Sequence, residues 1–152
     1  MLTRFSVSNF LSFDYEQEFS MLAGEVQKFS DRVIKDKNMG ILKFAALYGA
    51  NSSGKSNLIK AIDTAKKILV NGIESINSKE LHFKLKSENK EKPSKFEFEI
   101  KLNNSYYSYG FSVHLNSSSI VTEWLYELTA SKEIMIFERD MVSKKFKTEK
   151  KI

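Results

Sequence analysis

Gly49-Ala50-Asn51-Ser52-Ser53-Gly54-Lys55-Ser56 satisfies the pattern G-x-x-x-x-G-K-[ST] at every defined position. No other stretch constrains the fold as much, because this pattern works only behind a buried strand and ahead of a helix. Both neighbours read that way. Ile41-Leu42-Lys43-Phe44-Ala45-Ala46-Leu47-Tyr48 is almost continuously apolar and ends in glycine, the signature of a strand covered on both faces. From Lys55 to Val70 the period lengthens. Leu58, Ile62, Ala65 and Leu69 form one stripe, with Ala61 and Ile68 beside it and Lys60, Lys66 and Lys67 on other faces. Asn71-Gly72 is a stop signal for that helix.

The spacing carries a chemical expectation. Two glycines let the loop wrap so that successive backbone N–H groups turn inward as an anion nest for phosphates. A helix starting near Lys55 adds unpaired N–H groups and the positive end of its dipole. Lys55 would set its ammonium on the β- and γ-phosphate oxygens, and Ser56 would give its hydroxyl to Mg²⁺. The candidate nucleotide-binding set is Gly49, Asn51, Ser52, Ser53, Gly54, Lys55, Ser56 and Asn57, with Ser56 as the metal ligand and ATP and Mg²⁺ as the implied cofactors. A glycine-bracketed turn with no ligand is the plain alternative, but such a turn has no need of Lys-Ser after its second glycine.

Hydrolysis in P-loop enzymes also requires a carboxylate after a second apolar strand. No run of four apolar residues followed by Asp-Glu occurs. Ile134-Met135-Ile136-Phe137-Glu138-Arg139-Asp140 comes nearest, but its surroundings read as antiparallel strand. Gln17 and Gln27, the two glutamines, both precede the loop, and there is no Gly-Gly. No catalytic residue is therefore assigned.

The remainder is largely β. Leu2 to Ser8 alternates as a strand, Asn9 to Asp14 is turn-prone, and Tyr15 to Leu22 is extended, which together predict a hairpin. Gly24 to Gly40 is polar and reads as a loop with room for a helical turn. Past a polar stretch from Glu88 to Ser94, Phe96, Phe98, Ile100 and Leu102 alternate with charged residues. Tyr107, Tyr109, Phe111, Val113 and Leu115 then alternate with small or polar ones. A two-residue turn at Asn103-Asn104 pairs Ile100 with Tyr107, Phe98 with Tyr109 and Phe96 with Phe111, all on one face. Strands over Ile120 to Leu128 and Ile134 to Glu138 continue the meander.

With 152 residues the chain has room for one domain with a real core. It contains no cysteine, which excludes disulfides, thiolate metal sites and a catalytic thiol. No apolar run approaches the ~18–20 residues of a membrane span. The opening Met1-Leu2-Thr3-Arg4-Phe5-Ser6 alternates at once rather than forming a leader, so the expected location is cytoplasmic, with no membrane partner. Of the net charge of +5, the segment after Glu138 carries +4. That basic tail, with Lys144, Lys145, Lys147, Lys150 and Lys151, could contact DNA or RNA, although a solvated charge run is the commoner meaning. Tyr106, Tyr107, Tyr109 and Phe111 with Phe96 and Phe98 could stack bases, but the register favours a packed sheet face. His82 and His114 lack partners at metal-ligand spacing, and His114 reads as a surface residue. Trp124 reads as core or interface.

Asn9-Phe10-Leu11-Ser12-Phe13, followed by Lys43 to Leu58, resembles AAA-family ATPases of the ABC/SMC-like branch. More narrowly, it is similar to the subgroup found in bacterial anti-phage (abortive infection) and OLD-like systems. Phe96-Glu97-Phe98-Glu99-Ile100 leading to Tyr107-Ser108-Tyr109-Gly110-Phe111 resembles that subgroup too, as does Glu123-Trp124-Leu125-Tyr126 leading to Ile136-Phe137-Glu138-Arg139. The resemblance implies phosphate and magnesium roles for Lys55 and Ser56, and it places the Asn9 to Phe13 turn near the base and ribose. It also implies head-to-tail dimers around ATP, with nucleic acid as a frequent target. The Q-loop, the signature motif, the Walker B carboxylates and the switch histidine of such enzymes have no counterpart in these residues.

The expected fold class is α/β (α+β): a P-loop NTPase half-lobe with a strand–P-loop–helix unit and an antiparallel β-meander. Residues 1–72 would hold the hairpin, loop and helix, and 73–152 the meander and basic tail. The expected function is that of an ATP/Mg²⁺-binding N-terminal half of such an ATPase, in anti-phage defence, as a homodimer or with a complementing half. The alternative is a non-enzymatic β module that binds nucleic acid or protein and carries a vestigial loop.

Overall fold

The computed structural model describes residues 1–24, 30–36 and 39–149. Its strands are β1 (Leu2–Ser8), β2 (Gln17–Ser20), β3 (Val33–Asp36), β4 (Met39–Leu42), β5 (Ser94–Leu102), β6 (Ser105–His114), β7 (Ser119–Leu128), β8 (Glu133–Asp140) and β9 (Lys145–Lys147), with one helix, α1 (Lys55–Asn71). The fold is α+β. Seven strands form an antiparallel sheet in the order β2-β1-β5-β6-β7-β8-β9, and β3 and β4 pair separately. Among the described residues, no helix is long and apolar enough to cross a membrane.

The meander follows the alternation of its sequence. β5 and β6 pair Phe96 with Phe111, Phe98 with Tyr109 and Ile100 with Tyr107, as the register predicts. The turn works because Asn103 takes φ 54, a left-handed conformation that asparagine accepts more readily than most residues. Phe96 lies at the centre of the packing, its ring 5.4 Å from both Phe10 and Phe111. Phe5, Val7, Phe10, Phe96, Phe111 and Val113 are buried on the sheet, and Ala61, Ala65 and Ile68 of α1 pack onto them. The packed sheet face that the register favours over a stacking platform is what Phe96, Phe98, Tyr109 and Phe111 form.

α1 ends where the sequence predicts. Gly72 takes φ 82 and donates its N–H to the carbonyl of Ile68. Its buried stripe differs from the expected one. Ala61, Ala65 and Ile68 make the deep contact, Leu58 and Ile62 flank it, and Leu69 is exposed. Small alanines allow the helix axis to approach the sheet more closely than a leucine stripe would.

Two expectations fail here. The polar stretch Gly24 to Gly40 contains a short 3₁₀ turn (Ser30–Arg32) and most of a hairpin, β3–β4, in its described part. Residues 25–29, with Gln27, and residues 37–38 lie outside the described ones. The hairpin is tied down from a distance, because Asp36 accepts from the Tyr106 hydroxyl at 2.5 Å and pairs with Lys101 at 2.8 Å. Burial and that hydrogen bond push the Tyr106 phenol up to about 12. The second failure is the strand over residues 41–48. Only its start, in β4, is strand, with Ile41 buried. Phe44, Leu47 and Tyr48 are exposed, Tyr48 at 91%. A strand buried on both faces needs a neighbour on each side. Among the described residues, none makes a backbone hydrogen bond with 44–48.

Candidate phosphate site

Gly54 takes φ 93, a left-handed conformation, and ends the loop directly before α1. A side chain at this position would also press on the turn Asn9–Asp14: a Cβ would lie 3.1 Å from Ser12 Oγ and 3.4 Å from the Phe13 ring. Asn51, Ser52, Ser53, Gly54, Lys55, Ser56 and Asn57 surround a cavity of about 410 Å³. Gly49 sits behind it, and a Cβ on Gly49 would meet Ser53 Oγ at 2.8 Å. The structure thus brings all eight sequence-predicted residues to one place, seven of them lining the cavity.

The donors there suit a polyphosphate. The backbone N–H groups of Gly54, Lys55 and Ser56 find no acceptor among the described residues, whereas those of Asn57 and Leu58 already bond to the Gly54 carbonyl. Lys55 folds back over the loop. Its ammonium donates to the carbonyls of Gly49 at 2.7 Å and Ala50 at 2.6 Å, and to Ser53 Oγ at 3.3 Å. Phosphate oxygens would offer the same ammonium stronger, charged acceptors. The exposed Ser56 hydroxyl has no protein partner among the described residues and could ligate a divalent cation. Three free N–H groups, one ammonium and one hydroxyl make a set that ATP with Mg²⁺ fits.

Sequence reasoning did not find the bracing of this site. Asn57 donates to Ser12 Oγ at 3.0 Å, which joins the helix start to the β1–β2 turn. That turn is held in place by Asn9, Asp14, Lys86 and Asn89. Asp14 accepts from Lys86 at 2.5 Å and Asn89 at 2.7 Å. The Lys86 hydrogen bond, chiefly, holds the Asp14 carboxyl below its ordinary range. The turn-prone composition of Asn9 to Asp14, and the resemblance that sets Asn9 to Phe13 near the nucleotide, pointed to the turn but not to these contacts.

Among the described residues, no carboxylate lines the loop cavity. Glu138, the nearest sequence candidate for a catalytic acid, stands in β8, antiparallel between β7 and β9. It pairs with Trp124, which pairs with Gly110 and so with Glu97, on the face opposite Phe96 and α1. Its oxygens are taken by the Tyr126 hydroxyl and Lys147. Trp124 is half-buried, its indole against Gly110, where a Cβ would come within 2.2 Å of the ring. A larger hollow of about 650 Å³ opens on this face, between Lys95, Trp124, Tyr126, Glu138 and Lys147. Most of its charges are already paired: Lys95 with Glu16 and Glu97, and Lys147 with Glu138. Arg139 likewise pairs with Glu123. Lys150 and Lys151 of the basic tail lie outside the described residues. His82 is buried, and its Nδ1 has no hydrogen-bond partner among the described residues, while His114, the histidine read as a surface residue, is half-buried.

Among known families, residues 44–147 match the family model described as “AAA domain, putative AbiEii toxin, Type IV TA system”. No curated protein matches the chain. The matched span begins at Phe44, takes in the phosphate loop and α1, and runs through the meander to Lys147 in β9. It covers more than half of the chain, which therefore belongs to this family of AAA-type P-loop ATPase domains.

Proposed function

We propose that the chain binds ATP with Mg²⁺ through Gly49–Asn57 and serves as the nucleotide-binding half of an ABC/SMC-like ATPase. The setting would be a bacterial toxin–antitoxin or abortive-infection (anti-phage) system, as the family's description suggests. One observation carries the reading: three unpaired N–H groups, the Lys55 ammonium and the Ser56 hydroxyl meet at one cavity. The N–H groups would hold the phosphate oxygens and orient the chain along the helix start. Lys55 would exchange the loop carbonyls for β- and γ-oxygens, and Ser56 would present its hydroxyl to the cation. Ser56 would be this loop's ligand to Mg²⁺, which would supply neutralisation of the phosphate charge.

Hydrolysis would then be completed by groups from a second copy or a complementing ATPase half, since Glu138 faces away from the α1 side of the sheet. The exposed apolar residues Phe44, Leu47 and Tyr48 support a partner strand laid along 44–48. Calorimetric titration of ATP–Mg²⁺ into the wild type and Lys55→Ala tests the binding. The wild type is expected to bind, and the variant to lose about tenfold or more in affinity. Equal binding by both, or none by either, would overturn the reading.

A further inference from the structure

We infer that the turn Asn9–Asp14 is the positioning element of the phosphate loop, with Asn9 as its anchor and Ser12 and Phe13 as its working contacts. This rests on the nucleotide-binding reading above and adds residues outside the motif. Asn9 is 5% exposed and takes φ 50, and nearly everything it can bond is bonded. Its side-chain amide donates to the carbonyls of Asn89 at 2.8 Å and Lys92 at 2.9 Å. Its side-chain oxygen accepts from the Phe83 N–H at 3.2 Å, and its own carbonyl accepts from Ser94 Oγ at 2.5 Å. The Leu11 N–H donates to Leu81 at 2.7 Å, and Asp14 holds Lys86 and Asn89. Phe10 is fully buried beneath, in the core with Phe96.

A six-residue turn is thus tied at three points to a segment some seventy to eighty residues away. Leu11, at φ 48, is held in a conformation that a leucine avoids when unrestrained. Of the side chains this web leaves over, Leu11 packs against the core, while Ser12 and Phe13 both reach the phosphate loop. Ser12 accepts from Asn57, and Phe13 lies against the back of Gly54. Gly54 is the hinge between loop and helix, so its orientation decides where the N–H groups of Gly54, Lys55 and Ser56 point. Small misplacements of such donors are costly, because binding depends on geometry set before the ligand arrives. The turn acts through the loop rather than by touching a base.

Two measurements test this on the full chain, using Ser12→Ala, Phe13→Leu and the conservative Ser12→Thr. In ligand-free protein, amide exchange over residues 53–58 should quicken about three- to tenfold in the first two variants, remain unchanged at 61–68 and in the sheet, and recover in Ser12→Thr. In titrations, Mg²⁺ complexes of ATP, GTP and inorganic tripolyphosphate should all weaken by one common factor, about three- to tenfold. Unchanged exchange at 53–58 overturns the positioning role even if the wild type binds ATP normally. A loss for ATP with tripolyphosphate untouched overturns it as well, because it would mean direct base contact. A wild type that binds none of the three ligands overturns the nucleotide reading, and with it the phosphate role of the turn.

Discussion

Residues 41–48 and 96–102 are both rich in large apolar side chains, yet they meet opposite fates. In β5, Phe96 is fully buried, with partners in β1 on one side and β6 on the other. In the stretch before the phosphate loop, Ile41 is buried but Phe44, Leu47 and Tyr48 stand in solvent. The difference is one of pairing, not hydrophobicity. β5 turns straight back into β6 through two asparagines, so its neighbour is local in sequence. A strand leading into a phosphate loop continues into a helix and must find parallel neighbours elsewhere.

That contrast can be broken by experiment. Phe96→Ala removes the ring that Phe10 and Phe111 pack against and should cost about 3–5 kcal/mol, read as a fall in the urea midpoint at unchanged slope. A loss under 1 kcal/mol would mean that the meander is no better packed than residues 44–48. Gly110→Ala should cost about 1–3 kcal/mol, because the new methyl drives the Trp124 indole off the sheet, which the tryptophan emission would register.

A smaller effect depends on pH. The Tyr126 phenol is pushed up to about 12, first by its hydrogen bond to Glu138 and then by burial. Its folded value lies above the unfolded one, so the contribution is fully present below pH 10 and fades as pH rises towards 12. Tyr126→Phe should flatten stability over that window, and an identical pH profile for both proteins would remove the role assigned to this bond. Last, Phe44→Ser should change the stability of the isolated chain by no more than about 0.5 kcal/mol. A cost above 1 kcal/mol would show that 44–48 is already packed and sharpen the search for what covers it.

Much of the architecture was legible beforehand where partners are close in sequence. The β5–β6 register followed from alternation and one turn, and the helix stop followed from Asn71-Gly72. The phosphate loop was legible because its chemistry forces residue types into eight consecutive positions. The β3–β4 hairpin was hidden in a polar stretch because what secures it, Tyr106 and Lys101 on Asp36, lies some seventy residues on. The Leu69 stripe misled for a related reason: periodicity shows that a helix has an apolar side, but the sheet's shape chooses which residues reach it.

The sequence by itself therefore determined the strands of the meander, the helix after the loop and its stop, and which residues could hold a phosphate chain. Those are matters of period, turn chemistry and contiguous motif, all encoded within a few residues. Tertiary structure alone decided that Asn9 and Asp14 would brace the loop through Ser12 and Phe13, and that 44–48 would remain uncovered. Both outcomes depend on hydrogen-bond partners far along the chain or lacking among the described residues, and no local pattern specifies a partner at that distance.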